Sequence, residues 1–207
     1  MFSGIIEQVG HVCDAIAEGP SRRLALETGF VDLVLGESVA VNGVCLTVTR
    51  HTAGGKADFF VSPETLERSN LAGVTAGSRV NLERSVTLST RLSGHLVQGH
   101  VDGKARLAVV THDGDARGVT FSLPGGLRPY CVDKGSIALN GISLTLNAVA
   151  DPGPDGRFTV SITLIPHTWT HTNLQHCAIG EEVNVEVDVL AKYVEQLCHA
   201  YLKPSNT

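Results

Sequence analysis

Apolar and polar positions alternate at period two through most of this chain, the spacing of half-buried β-strands. The clearest case is "SVAVNGVCLTV", which starts at Ser38. Asn42-Gly43 interrupts it, and Asn-Gly between alternating apolar runs predicts a two-residue hairpin turn because both central residues need positive φ. That register pairs Val41 with Val44, Ala40 with Cys45 and Ser38 with Thr47. Val39, Val41, Val44, Leu46 and Val48 then share one face, and Ser38, Ala40, Cys45 and Thr47 the other. Most such polar faces simply meet water, but a solvated face usually carries long charged side chains. This one is small and polar, so a flat ring could lie on it.

The phrase recurs. "SIALNGISLTL" begins at Ser136, 98 residues after its partner, and the same register pairs Ala138 with Ser143, Ser136 with Thr145 and Lys134 with Asn147. Further on, "PETLERSNLAGVTAGSRVNLE" from Pro63 matches "PHTWTHTNLQHCAIGEEVNVE" from Pro166. The wider offset of that pair is taken up by the turn-rich "DPGPDGR", which a surface loop tolerates cheaply. The chain is thus two copies of a unit of roughly ninety-five residues, an ordinary domain size. We expect one β-domain over residues 1–95 and another over 96–188, pseudo-symmetric and mainly all-β. Residues 189–203 read as a helix, with Asp188 to cap it, Leu190, Tyr193, Val194, Leu197 and Tyr201 at helical spacing, and Pro204 to stop it. It has no counterpart after the first copy, and its apolar stripe either covers its own domain or joins subunits.

Composition narrows the function. The 207 residues include 22 Gly and 8 Pro, with 43% hydrophobic and 18% charged, as expected for a globular protein rich in turns. A net charge of −5 with no basic stretch excludes the electrostatic footprint of nucleic-acid binding. No apolar run approaches the roughly 18 residues of a membrane span, and the first residues lack a signal-peptide pattern, so we expect no membrane association and a cytoplasmic location. The five cysteines (Cys13, Cys45, Cys131, Cys177, Cys198) never form CxxC and read as free thiols. His167, His171, His176 and Cys177 cluster without HExxH on a strand-and-loop segment, so no metal site is expected. In "SGHLVQGHVDG", His95 and His100 stand at the junction of the copies among glycines, placed to act as acid or base if a pocket forms there. No GxGxxG follows a strand, and GxSxG is absent.

The residues that carry the repeat also resemble a known family. "MFSGIIEQVG", both hairpins, "GHLVQGHVDG", "PETL", "IPHT", "VNLER" and "VNVEVD" fall, in order, as in the α-subunit type of riboflavin synthase, from Met1 to about Leu202. The resemblance implies two six-stranded antiparallel barrels, each holding one 6,7-dimethyl-8-ribityllumazine, and a C-terminal helix that makes a homotrimer. It implies that a working site pairs the N-terminal barrel of one subunit with the C-terminal barrel of the next. There a four-carbon unit passes between two lumazines, giving riboflavin and 5-amino-6-(D-ribitylamino)uracil, with no cofactor.

By the same resemblance Ser38, Cys45, Thr47 and His100 act from the N-terminal barrel. Leu46, Gly99 and Val101 join them, and Gly4, Ile5 and Ile6 with Phe60, Val61, Ser62, Pro63, Glu64 and Thr65 line that ring and its ribityl chain. Lys134, Ser143, Leu144 and Thr145, with Thr163, Leu164, Ile165, Pro166, His167 and Thr168, do so in the C-terminal barrel. Phe2 and Asp188 match positions linked to activity. Two departures are Phe60, where many members have Asp, and Ser93 in place of a glycine before Gly94-His95. The alternatives are a non-catalytic lumazine- or flavin-binding relative of the optical type, which tends to lose the second "SLT" and the junction histidine, and a flavin reductase, for which the chain has no room for a nicotinamide domain.

Overall fold

A computed structural model of the protein describes the backbone of residues 1–202 and the side chains of residues 1–198. The Tyr201 side chain, Lys203 at the end of the expected helix, and Pro204 lie outside the described residues.

In the first copy β1 (Gln8–Glu18), β2 (Ser21–Glu27), β3 (Ser38–Val41), β4 (Val44–His51), β5 (Lys56–Val61) and β6 (Arg79–Arg84) close into a barrel of order β1-β2-β5-β4-β3-β6. α1 (Pro63–Arg68) and a 3₁₀ turn (Asn70–Gly73) link β5 to β6. The hairpin has the expected register, Ser38 opposite Thr47 and Ala40 opposite Cys45, and Asn42 and Gly43 take φ of 48° and 75°. Val39, Val41, Leu46, Val48, Phe59 and Val61 fill the interior.

The second copy repeats this as β7 (Gly103–Asp113), β8 (Ala116–Pro124), β9 (Ser136–Leu139), β10 (Ile142–Thr145), β11 (Ala148–Val149), β12 (Arg157–Leu164) and β13 (Glu182–Val187), with α2 (Pro166–Thr170) after β12. Its sheet has seven strands, in the order β10-β9-β13-β7-β8-β12-β11, and its two end strands are not paired with each other, so it is a half-barrel where a closed six-stranded barrel was expected. The two end strands are successive pieces of one stretch, the counterpart of β4, broken at Leu146 and Asn147. Asn147 stands where the first copy has Thr49, so a residue poorly suited to strands replaces a β-branched one. Its N–H still donates to the Ser161 carbonyl at 2.8 Å, which keeps the chain on β12.

The copies exchange their leading segments. Phe2 and Val97 form a two-way backbone bridge (N···O 2.7 and 3.1 Å) and pack with Ala40 and Ala138 between the barrels. Beyond it, Ile6 packs into the second core and Val101 into the first. The repeats follow one another along the chain, while in space Gly4 and Ile6 pack on the second copy and Gly99 and Val101 on the first.

Six asparagines, three from each copy, seal the same axis. Asn81 donates its side-chain amide to the Asn140 carbonyl (3.0 Å) and Asn184 to that of Asn42 (2.8 Å), while the backbone N–H groups of Asn173 and Asn70 donate to the Asn81 and Asn184 side-chain oxygens (2.7 and 2.6 Å). Buried amides demand partners, and these supply one another reciprocally, which fixes the mutual rotation of the barrels.

α3 (Val189–Leu202) follows β13 and packs on the 3₁₀ turn at Gly125–Tyr130. The Asp188 carboxylate accepts from Leu190 N at 2.9 Å, the expected cap, and Lys192 pairs with Asp102 at 2.6 Å. Leu190, Tyr193, Val194 and Leu197 stay exposed, Leu197 at 70%. Among the described residues, no helix is long and apolar enough to cross a membrane.

Candidate functional site

A cavity of about 270 Å³ lies on the outer face of the first barrel, lined by Val44, Cys45, Glu64, Thr65, Arg68, Ser69, Gly99, His100 and Val101. β4 points Cys45 outward because its neighbours Val44 and Leu46 face the core. α1 forms a second wall, started by Pro63 and capped by Ser62, whose hydroxyl accepts from Thr65 N at 3.2 Å; Glu64 and Arg68 pair along it at 3.1 Å. The third wall is the crossing segment. Cys45 N donates to Gly99 O at 2.9 Å, and a Cβ on Gly99 would lie 2.5 Å from that of Cys45, so only glycine, here with φ 83°, fits. The buried Glu186 carboxylate holds the segment in place, accepting from the N–H groups of Gln98, Gly99 and His100 at 2.6 to 2.9 Å. Its burial pushes the Glu186 carboxyl above its ordinary range, against the opposing pull of these bonds.

The second barrel builds the same constellation. Ser143 N donates to Gly4 O at 2.7 Å, a Cβ on Gly4 would lie 2.6 Å from that of Ser143, and Glu83 accepts from Ser3 N, Ser3 Oγ and Gly4 N at 2.6 to 2.9 Å. Burial again raises the Glu83 carboxyl. Gly4, Ile5 and Ile6 were expected on the first barrel; the structure packs Gly4 and Ile6 on the second copy, because each copy's leading segment crosses to the other, while Ile5 lines a cleft with Glu37, Glu83 and Arg84.

The two sites differ in side chains. Lys134 stands at φ 64° where the first copy has Gly36 at φ 84°, so a lysine is held in a backbone conformation that favours glycine. Stacked imidazoles of His167 and His171, 4.0 Å between centroids, replace the Glu64–Arg68 ion pair. Thr163, bonded from Asn147 Nδ2 at 2.6 Å, replaces Phe60, which is 50% exposed on β5.

The remaining expected residues fall into three groups. Ser38, Thr47, Thr145, Ser62, Pro63, Ile165, Pro166 and Thr168 lie on the outward hairpin faces or at the helix starts. The side chains of Leu46, Val61, Leu144 and Leu164 fill the barrel cores, so those positions offer a ligand only their backbone. Phe2 is wholly buried on the axis between the barrels and touches neither pocket directly.

His95, expected with His100 to act as acid or base if a pocket forms at the junction, lies against the second hairpin. It is 8% exposed, and its Nδ1 lies 2.7 Å from Ser143 Oγ. Burial lowers its pKa below the usual imidazole value, with the nearby Asp188 charge opposing. The signal was the glycine before it, since a Cβ on Gly94 would collide with Ser3 O and lie 2.7 Å from Ser143 Cβ. Two larger clefts, about 630 and 600 Å³, lie at the asparagine axis and under the 85–93 linker. Apart from Ile5, neither contains an expected site residue.

A closed barrel and a half-barrel that repeats its hairpin, each with a glycine of the other copy's leading segment pressed on the hairpin face, define a duplicated fold, and the Lumazine binding domain family matches at residues 3–85 and 98–188. Riboflavin synthase of Mycobacterium bovis is 43% identical over 199 residues, covering 95% of this chain and 98% of that protein. Riboflavin synthase of Bacillus subtilis is 38% identical over 203 residues (96% and 90% covered). The chain belongs to the riboflavin synthase family. The fold is also that of LumP complexed with 6,7-dimethyl-8-(1'-D-ribityl) lumazine, at TM-score 0.77 and 23% identity, covering 90% of this chain and 99% of that one, and of LumP complexed with flavin mononucleotide at TM-score 0.78.

Proposed function

We propose that the protein is a riboflavin synthase, a transferase that moves a four-carbon unit between two molecules of 6,7-dimethyl-8-ribityllumazine to give riboflavin and 5-amino-6-(D-ribitylamino)uracil. The observation that carries this reading is the pair of equivalent hairpin contacts, Cys45 with Gly99 and Ser143 with Gly4, on one chain. A reaction that consumes two copies of one molecule needs two similar binding faces, and duplication supplies them.

The chemistry asks for little beyond orientation and proton handling, because the lumazine ring itself delocalises the carbanion formed at its 7-methyl group. The first face offers Ser38, Cys45, Thr47 and His100. The second offers Lys134, Ser143, Thr145 and Asp188. Phe2 acts through packing, holding the two leading segments in place. The unequal side chains suit a reaction in which one ligand gives carbons and the other receives them.

In this reading each chain carries two half sites, and the exposed stripe of Leu190, Tyr193, Val194 and Leu197 gathers three chains so that the first barrel of one faces the second barrel of the next. A cytoplasmic location fits a biosynthetic enzyme. The retained Ser143-Leu144-Thr145, Lys134 and His100 favour the enzyme over a lumazine-storing optical relative. Incubation with 6,7-dimethyl-8-ribityllumazine alone, with riboflavin as the readout, tests it.

A further inference from the structure

Ser143 is gripped more closely than its counterpart Cys45. Gly4 presses on it from the leading segment and Gly94 from the linker, and the Nδ1 of His95 meets its hydroxyl at 2.7 Å. The Nε2 of His95 is buried and has no hydrogen-bond partner among the described residues. A buried imidazole with one nitrogen idle costs stability, and such a group is retained where its other nitrogen has work to do.

We infer that His95 is a positioning residue for the second site, taking the proton of the Ser143 hydroxyl through Nδ1 and returning it. This rests on the proposal that the hairpin faces hold lumazine. His95 is neutral at rest, with Nδ1 bare and Nε2 carrying the hydrogen, so the Ser143 O–H donates to it. When the 7-methyl group of the lumazine beside Ser143 ionises, its proton passes to the serine oxygen as the serine hydrogen passes to Nδ1. The ligand is left as a ring-delocalised anion and His95 as an imidazolium. The proton returns by the same path when the anion is consumed. Asp188 favours the imidazolium, and the carboxylate of Glu83 is engaged by Ser3 and Gly4. On this view Ser143 works as a hydroxyl with the imidazole of His95 behind it.

The test is the pH profile of riboflavin formation by the whole protein and three variants. Wild type should lose activity in acid below the ordinary imidazole range near 6.5, since burial holds His95 neutral. His95→Gln keeps a hydrogen bond to Ser143 but cannot titrate. It should melt close to wild type, lose roughly 100-fold in rate and lose that acid limb. Asp188→Asn removes the charge that favours the imidazolium, so the limb should move to lower pH. Ser143→Ala should lose the same limb, and combining it with His95→Gln should cost little more than either alone. If His95→Gln fails to fold, Ser143→Ala alone decides. Wild-type rate and an unchanged acid limb in His95→Gln, or in Ser143→Ala, would overturn the role of His95, as would an upward move in Asp188→Asn. Wild-type protein that forms no riboflavin would instead overturn the proposed function.

Discussion

Gly43 and Gly141, the turn glycines of the two hairpins, meet backbone to backbone: a Cβ on Gly43 would lie 2.6 Å from the nitrogen of Gly141. Both have positive φ, 75° and 79°. Gly43→Ala therefore adds left-handed strain and an overlap in the most crowded part of the barrel interface. The expected loss is about 2–4 kcal/mol in denaturant unfolding. Gly141→Ala should cost a similar amount, and the double variant less than the sum, because the two share one contact.

Glu83 and Glu186 connect the core to the pockets. A glutamine in either place turns an amide N–H toward a backbone N–H that is then left without an acceptor, at a cost of about 1–3 kcal/mol. Glu186→Gln should loosen Gly99 and weaken ligand binding at the first site, and Glu83→Gln should loosen Gly4 and weaken the second; fluorescence titration with riboflavin reads both. Burial raises both carboxyls in the folded state. Their protonated forms therefore favour the fold, and that contribution is present below the ordinary glutamate pKa and lost as pH rises through the raised one. Replacing either residue should flatten that slope in melting curves taken across the acid range.

The exposed stripe on α3 is expected to hold subunits together. Leu197→Lys leaves the helix its good propensity and puts a charge in the stripe. Sedimentation should show a smaller species at protein concentrations where the wild type is assembled, with unchanged far-ultraviolet circular dichroism.

If each working site is shared between subunits, chains inactivated at His100 and chains inactivated at Lys134 carry complementary damage. Mixing them under conditions that exchange subunits should restore part of the activity. No recovery after exchange has been demonstrated by mass labelling would count against a shared site.

Much of this was legible in the sequence because it rests on local rules. Asn-Gly set both hairpins, period-two alternation set which face of Cys45 and Ser143 looks outward, and the two offsets set the duplication. What escaped depends on contacts across the copies. Nothing in "SGII" says that Gly4 crosses to Ser143, since the partner lies 139 positions away. The six asparagines looked like ordinary turn and strand residues until they met at one axis. The partner of His95 was hidden for the same reason, the Ser143 hydroxyl lying 48 positions further on. The break between β10 and β11 was visible only as one asparagine in place of threonine, too weak a signal beside a strong hairpin.

One assay tests the proposed activity most directly: purified protein given only 6,7-dimethyl-8-ribityllumazine, with products separated and quantified. The expected outcome is riboflavin and 5-amino-6-(D-ribitylamino)uracil in equal amounts, one of each for every two lumazines consumed. Lumazine that is bound tightly and recovered unchanged would contradict it and leave a binding protein in place of an enzyme.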